Sequence, residues 1–311
     1  MMPEVSKAEQ RLCDRLRLDA AAAARLLQAM REGKSSRSAI VLSPKAPQDY
    51  VPPCACEDTA DWGWLPPRVY VPCEGERPTT HPDYAAGLYY SLDLSSCWES
   101  AALEVVPPPT SSLDLCAAPG GKTMLMAARY LPQNHTANEV NAARRGILRQ
   151  NAELCGLPNT EVSGLRPDQW AAEGRLFDLL LVDAPCSGQS LLCKGIKNPG
   201  CLGAQMVNGN AKRQKGIMLA AVQCVAEGGH ILYSTCTYDP DENEKVISYI
   251  LRRVPGWCAV EVPQLARFRS ALADFPCYRL LPEHGFGAGG FCCLLKKQTN
   301  IEQTTTDTCR Y

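Results

Sequence analysis

The stretch FDLLLVDAPCSG, residues 177–188, governs how the rest of the chain is read. Its apolar run, Leu179 to Val182, stops at Asp183 and Pro185. A run this short and apolar, closed by a turn, suits a central parallel strand covered on both faces. Pro185 lacks a backbone donor and biases the residue before it toward extended geometry, so Asp183 and Cys186 are both presented at the strand's rim. A second stretch, HILYSTCTYDPDENEK (230–245), follows the same course: Ile231 to Tyr233, a sudden polar stop, then Cys236. The acidic residues after it read as the charged first turn of a helix, complementing its dipole.

Strands and helices alternate outward from these two segments. SSLDLCAAPGGKT (111–123) is a short strand running into a Gly-rich turn, with a helix behind it. HTANEV (135–140) is a second strand, 141–155 a helix, and 159–163 a third strand. A helix over 211–227 is expected to stop at Gly228-Gly229. Residues 242–253 form another helix, and 258–262 and 289–296 supply late strands. The alternation predicts an α/β fold with a doubly wound, mostly parallel sheet, in which ligands bind outside the carboxyl ends of the strands.

Residues 5–31 read as one helix, and nine prolines between 44 and 82 then rule out long regular elements. The expected organisation is a helical and Pro-rich irregular extension over 1–74, a catalytic domain over 75–297 and a disordered tail over 298–311.

The 311 residues are 45% hydrophobic, enough to bury a sizeable core. No apolar run reaches the length of a membrane span, and the charged N-terminus does not resemble a secretion signal. Seventeen cysteines without an export signal point to a reduced, cytoplasmic protein. Cys54, Cys56, Cys73 and Cys97 fit no common zinc spacing, so no metal is expected. Net charge is −1, unevenly spread: residues 46–104 carry two Lys/Arg against ten Asp/Glu. Lys194, Lys197, Lys212, Arg213 and Lys215 form local basic clusters able to meet phosphates.

The strand ends carry the chemistry. Gly120 and Gly121 allow a tight turn and a close backbone approach to a ligand. Glu139, at the end of the second strand, is placed to accept hydrogen bonds from a ribose diol. Asp183 beside Cys186 disfavours a resting thiolate there, whereas Cys236 has only Ser and Thr neighbours and is the better nucleophile.

LDLCAAPGGKT, VDAPCSGQSLL and YSTCTYDPDENE, in this order and spacing, resemble motifs of the RNA 5-methylcytosine methyltransferases of the RsmB/RsmF and NSUN type. The flanking HPDYAAGLYYSLDLSS, NAKRQK and HGFGAGGF share the resemblance, which covers about 75–297 and leans to an RsmF-like branch. It implies a Rossmann-like class I fold using S-adenosylmethionine. Cys116, Ala117, Ala118, Pro119, Gly120, Gly121 and Lys122 would wrap the methionine end, Glu139 the ribose and Asp168 the adenine; Asp183 would also border the cofactor. Asp183 would bond the target cytosine near N3, Cys236 would add to its ring, and Cys186 would assist release. Lys122 and the basic residues from 194 to 215 would hold RNA phosphates. The implied protein is a monomer acting on RNA, ribosomal rather than transfer RNA.

Three other readings stand beside this one. A DNA-type cytosine methyltransferase would use Cys186, not Cys236, as nucleophile. An RNA-binding assembly factor could keep the cofactor fold without catalysis. Small-molecule methylation has little use for two cysteines.

Overall fold

The computed structural model describes residues 5–157 and 159–299. In chain order the N-terminal part contains α1 (Lys7–Arg15), α2 (Ala20–Glu32), β1 (Ser38–Leu42), β2 (Val69–Tyr70), α3 (Pro82–Ala85), β3 (Tyr89–Asp93) and α4 (Leu94–Ser100). There follow β4 (Ser111–Asp114), α5 (Gly121–Tyr130), β5 (Asn134–Asn138), α6 (Ala142–Leu154), β6 (Thr160–Ser163), α7 (Pro167–Glu173) and β7 (Phe177–Asp183). The last part holds α8 (Ser190–Cys193), α9 (Ala204–Ala221), β8 (Val225–Thr235), α10 (Glu244–Arg253), β9 (Trp257–Ala259), β10 (Tyr278–Leu280) and β11 (Gly290–Lys297).

The main sheet has the order β10-β11-β8-β7-β4-β5-β6, with β9 paired to β11. From β8 to β6 every pairing is parallel, and β11 joins β8 antiparallel. This is the expected doubly wound, Rossmann-like sheet. The chain runs outward from β4 through β5 to β6 and returns on β4's other side as β7. The crevice between the ends of β4 and β7 is therefore the topological switch point.

The apolar run 179–182 is buried on both faces. Leu179 and Leu181 enter one core with Trp98, Met124 and Leu294; Leu180 and Val182 enter the other with Trp170, Met218 and Ile247. Alternate residues pointing to opposite faces explain why a run of consecutive apolar residues is needed there.

Three expectations are corrected. The single helix over 5–31 is two helices: Arg17 adopts φ 55°, and the Asp19 carboxylate caps α2 by accepting from Ala22 N–H at 2.8 Å. The Pro-rich stretch is not simply irregular, because β1 pairs antiparallel with β2 and β3. That sheet spans the expected boundary at 74, and Ala39 and Val41 enter the same core as Trp98 and Leu179. The helix placed at 211–227 starts at Ala204 and ends at Ala221, and Gly228-Gly229 lies within β8. A Cβ on Gly229 would meet Val225 Cγ1 at 2.7 Å and the Asp178 carbonyl at 3.0 Å, so this glycine serves close strand packing, not a helix stop.

The expected disordered tail, from 300 onward, lies outside the described residues. Among the described residues no helix is long and apolar enough to cross a membrane.

The α1–α2 hairpin packs against the segments that follow both strand-end cysteines. Leu12, Leu26 and Met30 cluster with Cys193 and Tyr238, and Arg15 bridges Asp239 at 3.0 Å and Asp241 at 2.8 Å. Gly33 ends α2 at φ 62°, and a Cβ there would lie 2.5 Å from the Gly195 Cα. Gly33→Ala is expected to destabilise the protein by about 1–3 kcal/mol, measured by urea denaturation. An unchanged midpoint would show that this contact does not hold the hairpin down.

Candidate active site

Parallel pairing of β7 with β8 brings Asp183 level with Ser234, so the loops leaving both strands start side by side. The Ala184 N–H donates to the Ser234 carbonyl at 2.9 Å, and the Ser190 N–H to the Cys236 carbonyl at 3.2 Å. Cys186 and Cys236, fifty residues apart in sequence, therefore meet with their sulfurs 3.3 Å apart. The two thiols are unequal. The Cys186 hydrogen bond lowers the Cys236 pKa, and Lys122 and Lys194 act in the same direction against burial and Asp183. Cys186 is raised well above the ordinary thiol value by the same bond, by burial and by Glu242 and Asp183. These opposite shifts favour Cys186 as the S–H donor and Cys236 as the acceptor.

Asp183 is 38% exposed at the cleft. It accepts from Ser234 Oγ at 3.2 Å and pairs with Lys122 Nζ at 2.8 Å. Lys122 is corrected as a phosphate ligand: it is only 9% exposed, held between Asp183 and the Glu99 carboxylate, 2.6 Å away. Removing one partner from a buried pair of this kind costs on the order of 3–5 kcal/mol.

A cleft of about 1200 Å³ joins the β5 end to the two cysteines. Glu139, Cys116, Ala118, Asp183, Cys186 and Cys236 all line it. Ala117, Pro119, Gly121 and Lys122, with Cys116 and Asp183, line a smaller adjoining cavity of about 240 Å³. Gly120, at φ 119°, turns the chain into α5. Beneath this turn, buried Asp114 accepts from Thr123 Oγ1 at 2.7 Å, and burial pushes its pKa up to about 7.

Glu139 accepts from Asn141 N–H at 2.8 Å and pairs with Arg144 at 3.1 Å. The structure does not bring Asp168 to this cleft. Its side chain is 69% exposed and bound to Arg166 at 3.1 Å, while Arg166 and Pro167 line the wall instead. Of the expected RNA cations, Arg213 lines the cleft and Lys197 and Lys212 are exposed. Lys194 pairs with Asp93 at 3.1 Å, and Lys215 sits 5.3 Å from the Tyr249 ring centre.

The acidic stretch after Cys236 is also corrected. Glu242 is fully buried rather than solvated, and accepts from Ser187 N–H at 2.8 Å, Ser187 Oγ at 2.5 Å and Gln214 Nε2 at 3.0 Å. Ser187 Oγ also meets Thr237 Oγ1 at 2.8 Å. Asn243 donates to the Thr237 carbonyl at 2.9 Å, and Glu244 is bound by Arg279 and by Ser270 Oγ. Glu242 thus ties the Cys186 loop to the Cys236 loop. Sequence reasoning missed it, and Glu99, because neither acid carries a local sign of burial.

Glu242→Ala leaves Ser187 N–H and Gln214 Nε2 without their shared acceptor. It is expected to lower stability by about 1–3 kcal/mol in urea denaturation, and an unchanged midpoint would remove Glu242 from this role.

Comparison with known proteins agrees with this geometry. Residues 102–296 match the family described as 16S rRNA methyltransferase RsmB/F. The ribosomal RNA small subunit methyltransferase F of Klebsiella pneumoniae is 33% identical over 195 residues, 62% of this chain and 40% of that protein. The 26S rRNA (cytosine-C(5))-methyltransferase nsun-1 of Caenorhabditis elegans is 32% identical over 227 residues, 68% of this chain and 33% of that protein. The chain thus spans less than half the length of these two relatives. A methyltransferase homolog protein from Pyrococcus horikoshii shares the fold, with a TM-score of 0.75 at 22% identity, covering 96% of this chain and all of that one. With well over half of its residues matched, and its paired cysteines at neighbouring strand ends, the chain belongs to the RsmB/F family of 16S rRNA methyltransferases.

Proposed function

We propose that the chain is an S-adenosylmethionine-dependent RNA cytosine-5 methyltransferase that acts on ribosomal RNA through a covalent adduct on Cys236. The observation that carries this reading is the unequal thiol pair, 3.3 Å apart and beside Asp183. Few acceptors other than a pyrimidine ring need two thiols at one point. The names of the two relatives support ribosomal RNA, and that of nsun-1 supports carbon-5 of cytosine.

The cleft fits the cofactor. It is large enough for a nucleoside and an amino acid, has a carboxylate at its β5 end, and has small residues, Ala118 among them, on its wall. Glu139 would hold the ribose diol, with Val140 and Pro167 beside the adenine and the 116–122 turn around the methionine end. When bound, S-adenosylmethionine supplies an electrophilic methyl group.

Carbon-5 of cytosine is too weak a nucleophile to take that methyl unaided. The Cys236 thiolate adds at carbon-6, and its electron pair makes carbon-5 enamine-like, while Asp183 supports protonation at N3. After carbon-5 is methylated, its proton passes to water, N3 gives back its proton and the Cys236 sulfur leaves as a thiolate, which restores the aromatic ring. Cys186 assists that elimination by offering its S–H to the departing sulfur. The target base must leave its stack to reach the cleft. Arg213, which lines the cleft, and the exposed Lys197 and Lys212 would meet the flanking phosphates.

The test uses the purified chain, labelled S-adenosylmethionine and small-subunit ribosomal RNA. Wild type is expected to transfer label. Cys236→Ala is expected to lose transfer by at least about 100-fold and to form no denaturant-resistant protein–RNA complex. Cys186→Ser is expected to accumulate that complex. An adduct that survives in Cys236→Ala would make Cys186 the nucleophile; absence of transfer by wild type would favour an RNA-binding scaffold.

A further inference from the structure

Glu99 lies outside all the motifs that carry the family resemblance, yet it is among the most buried charged groups of the molecule. It projects from α4, 3% exposed, with its carboxylate 2.6 Å from Lys122 Nζ. Lys122 in turn lies 2.8 Å from Asp183. Carboxylate, ammonium and carboxylate thus form a continuous chain from the core to the cleft.

A second feature marks this placement. Gly290, at the start of β11, has no room for a side chain, because an added Cβ would run into Oε1 of Glu99. The sheet therefore leaves space for this carboxylate.

We propose that Glu99 is a positioning residue which, through Lys122, sets the charge felt by Asp183 and Cys236. This rests on the reading of the site as a cytosine-5 methyltransferase centre. With Glu99 ionised, the single Lys122 charge is shared between two carboxylates. Asp183 is then only partly compensated, and is a stronger hydrogen-bond acceptor toward a protonated N3 than it would be with Lys122 to itself. Cys236 likewise feels a less positive field. The ionisable groups around Glu99 are Lys122, Asp183 and Cys236, with Cys97 from its own helix and Cys292 from β11. Burial pushes the Glu99 pKa up to about 8 against the pull of Lys122, so the triad changes charge near neutral pH.

Removing the Glu99 charge leaves Lys122 wholly to Asp183, and Cys236, in a more positive field, should then titrate at lower pH. The experiment has two arms. The first measures alkylation of Cys236 against pH by mass spectrometry, in a Cys186→Ser background without RNA. There, Glu99→Gln is expected to move the midpoint down by on the order of one pH unit. The second measures methyl transfer to ribosomal RNA. There, the acidic limb of the kcat–pH profile is expected to shift the same way, with KM within about twofold of wild type. Glu99→Asp, which keeps the charge, is expected to leave the midpoint and that limb near their wild-type positions.

If Glu99→Gln does not fold, Gly290→Ala, which displaces the carboxylate without removing it, is expected to shift both readouts in the same direction. A variant that only lowers the rate, with the midpoint and the acidic limb unmoved, would overturn the proposal. The alkylation arm needs neither RNA nor cofactor. Failure of wild type to methylate RNA would therefore count against the proposed function, while an unshifted alkylation midpoint would count against Glu99.

Discussion

The contact between the Cys186 and Cys236 sulfurs is the interaction around which the site is organised. A thiol hydrogen bond is weak, and here it acts between groups fifty residues apart. It exists because β7 and β8 pair in parallel and in register, so that both loops leave the sheet at one level. Glu242 then fixes the loops to each other through Ser187. From outside, Arg15 holds the chain after Cys236 and the α1–α2 hairpin packs on Tyr238 and Cys193. Sheet register, a buried carboxylate and an N-terminal brace thus converge on one sulfur–sulfur distance.

Burial gives this distance its chemical meaning. Two identical thiols in a symmetric environment would share a proton. Asp183 acts on both, but Glu242 acts on Cys186, whereas Lys122 and Lys194 act on Cys236. The asymmetry favours Cys186 as donor and Cys236 as acceptor without any contact to a substrate. Lys122 is effective because it is inside: an exposed lysine would be screened by water, while this one lies between two carboxylates with little solvent.

The parts of this arrangement differ in how visible they are in the sequence. The run at 179–182 and the strand-ending cysteines could be read directly, because a doubly covered strand needs consecutive apolar residues and a turn must follow it. The placement of Glu139 on the cleft followed from the end of β5. Residues whose role depends on a distant partner could not be read. Glu242 and Glu244 look like a solvated helix start until Ser187 and Arg279 are brought against them by the fold. Lys122 looked like a surface cation for the same reason. Asp168 had the right residue type in the right interval, but it is exposed and paired with Arg166, and Arg166 lines the cleft in its place. β2 was hidden by prolines, because a two-residue strand fits between Pro67 and Pro72, and β1 lies directly before the stretch that opens at Pro44.

The central claim, a cytosine methylated through Cys236, is tested most directly by bisulfite sequencing of ribosomal RNA from cells with the gene intact, deleted, or restored as Cys236→Ala. The account predicts a protected cytosine that is present with the intact gene, lost on deletion and not recovered with the Ala variant. The same protected cytosines in all three strains would contradict it.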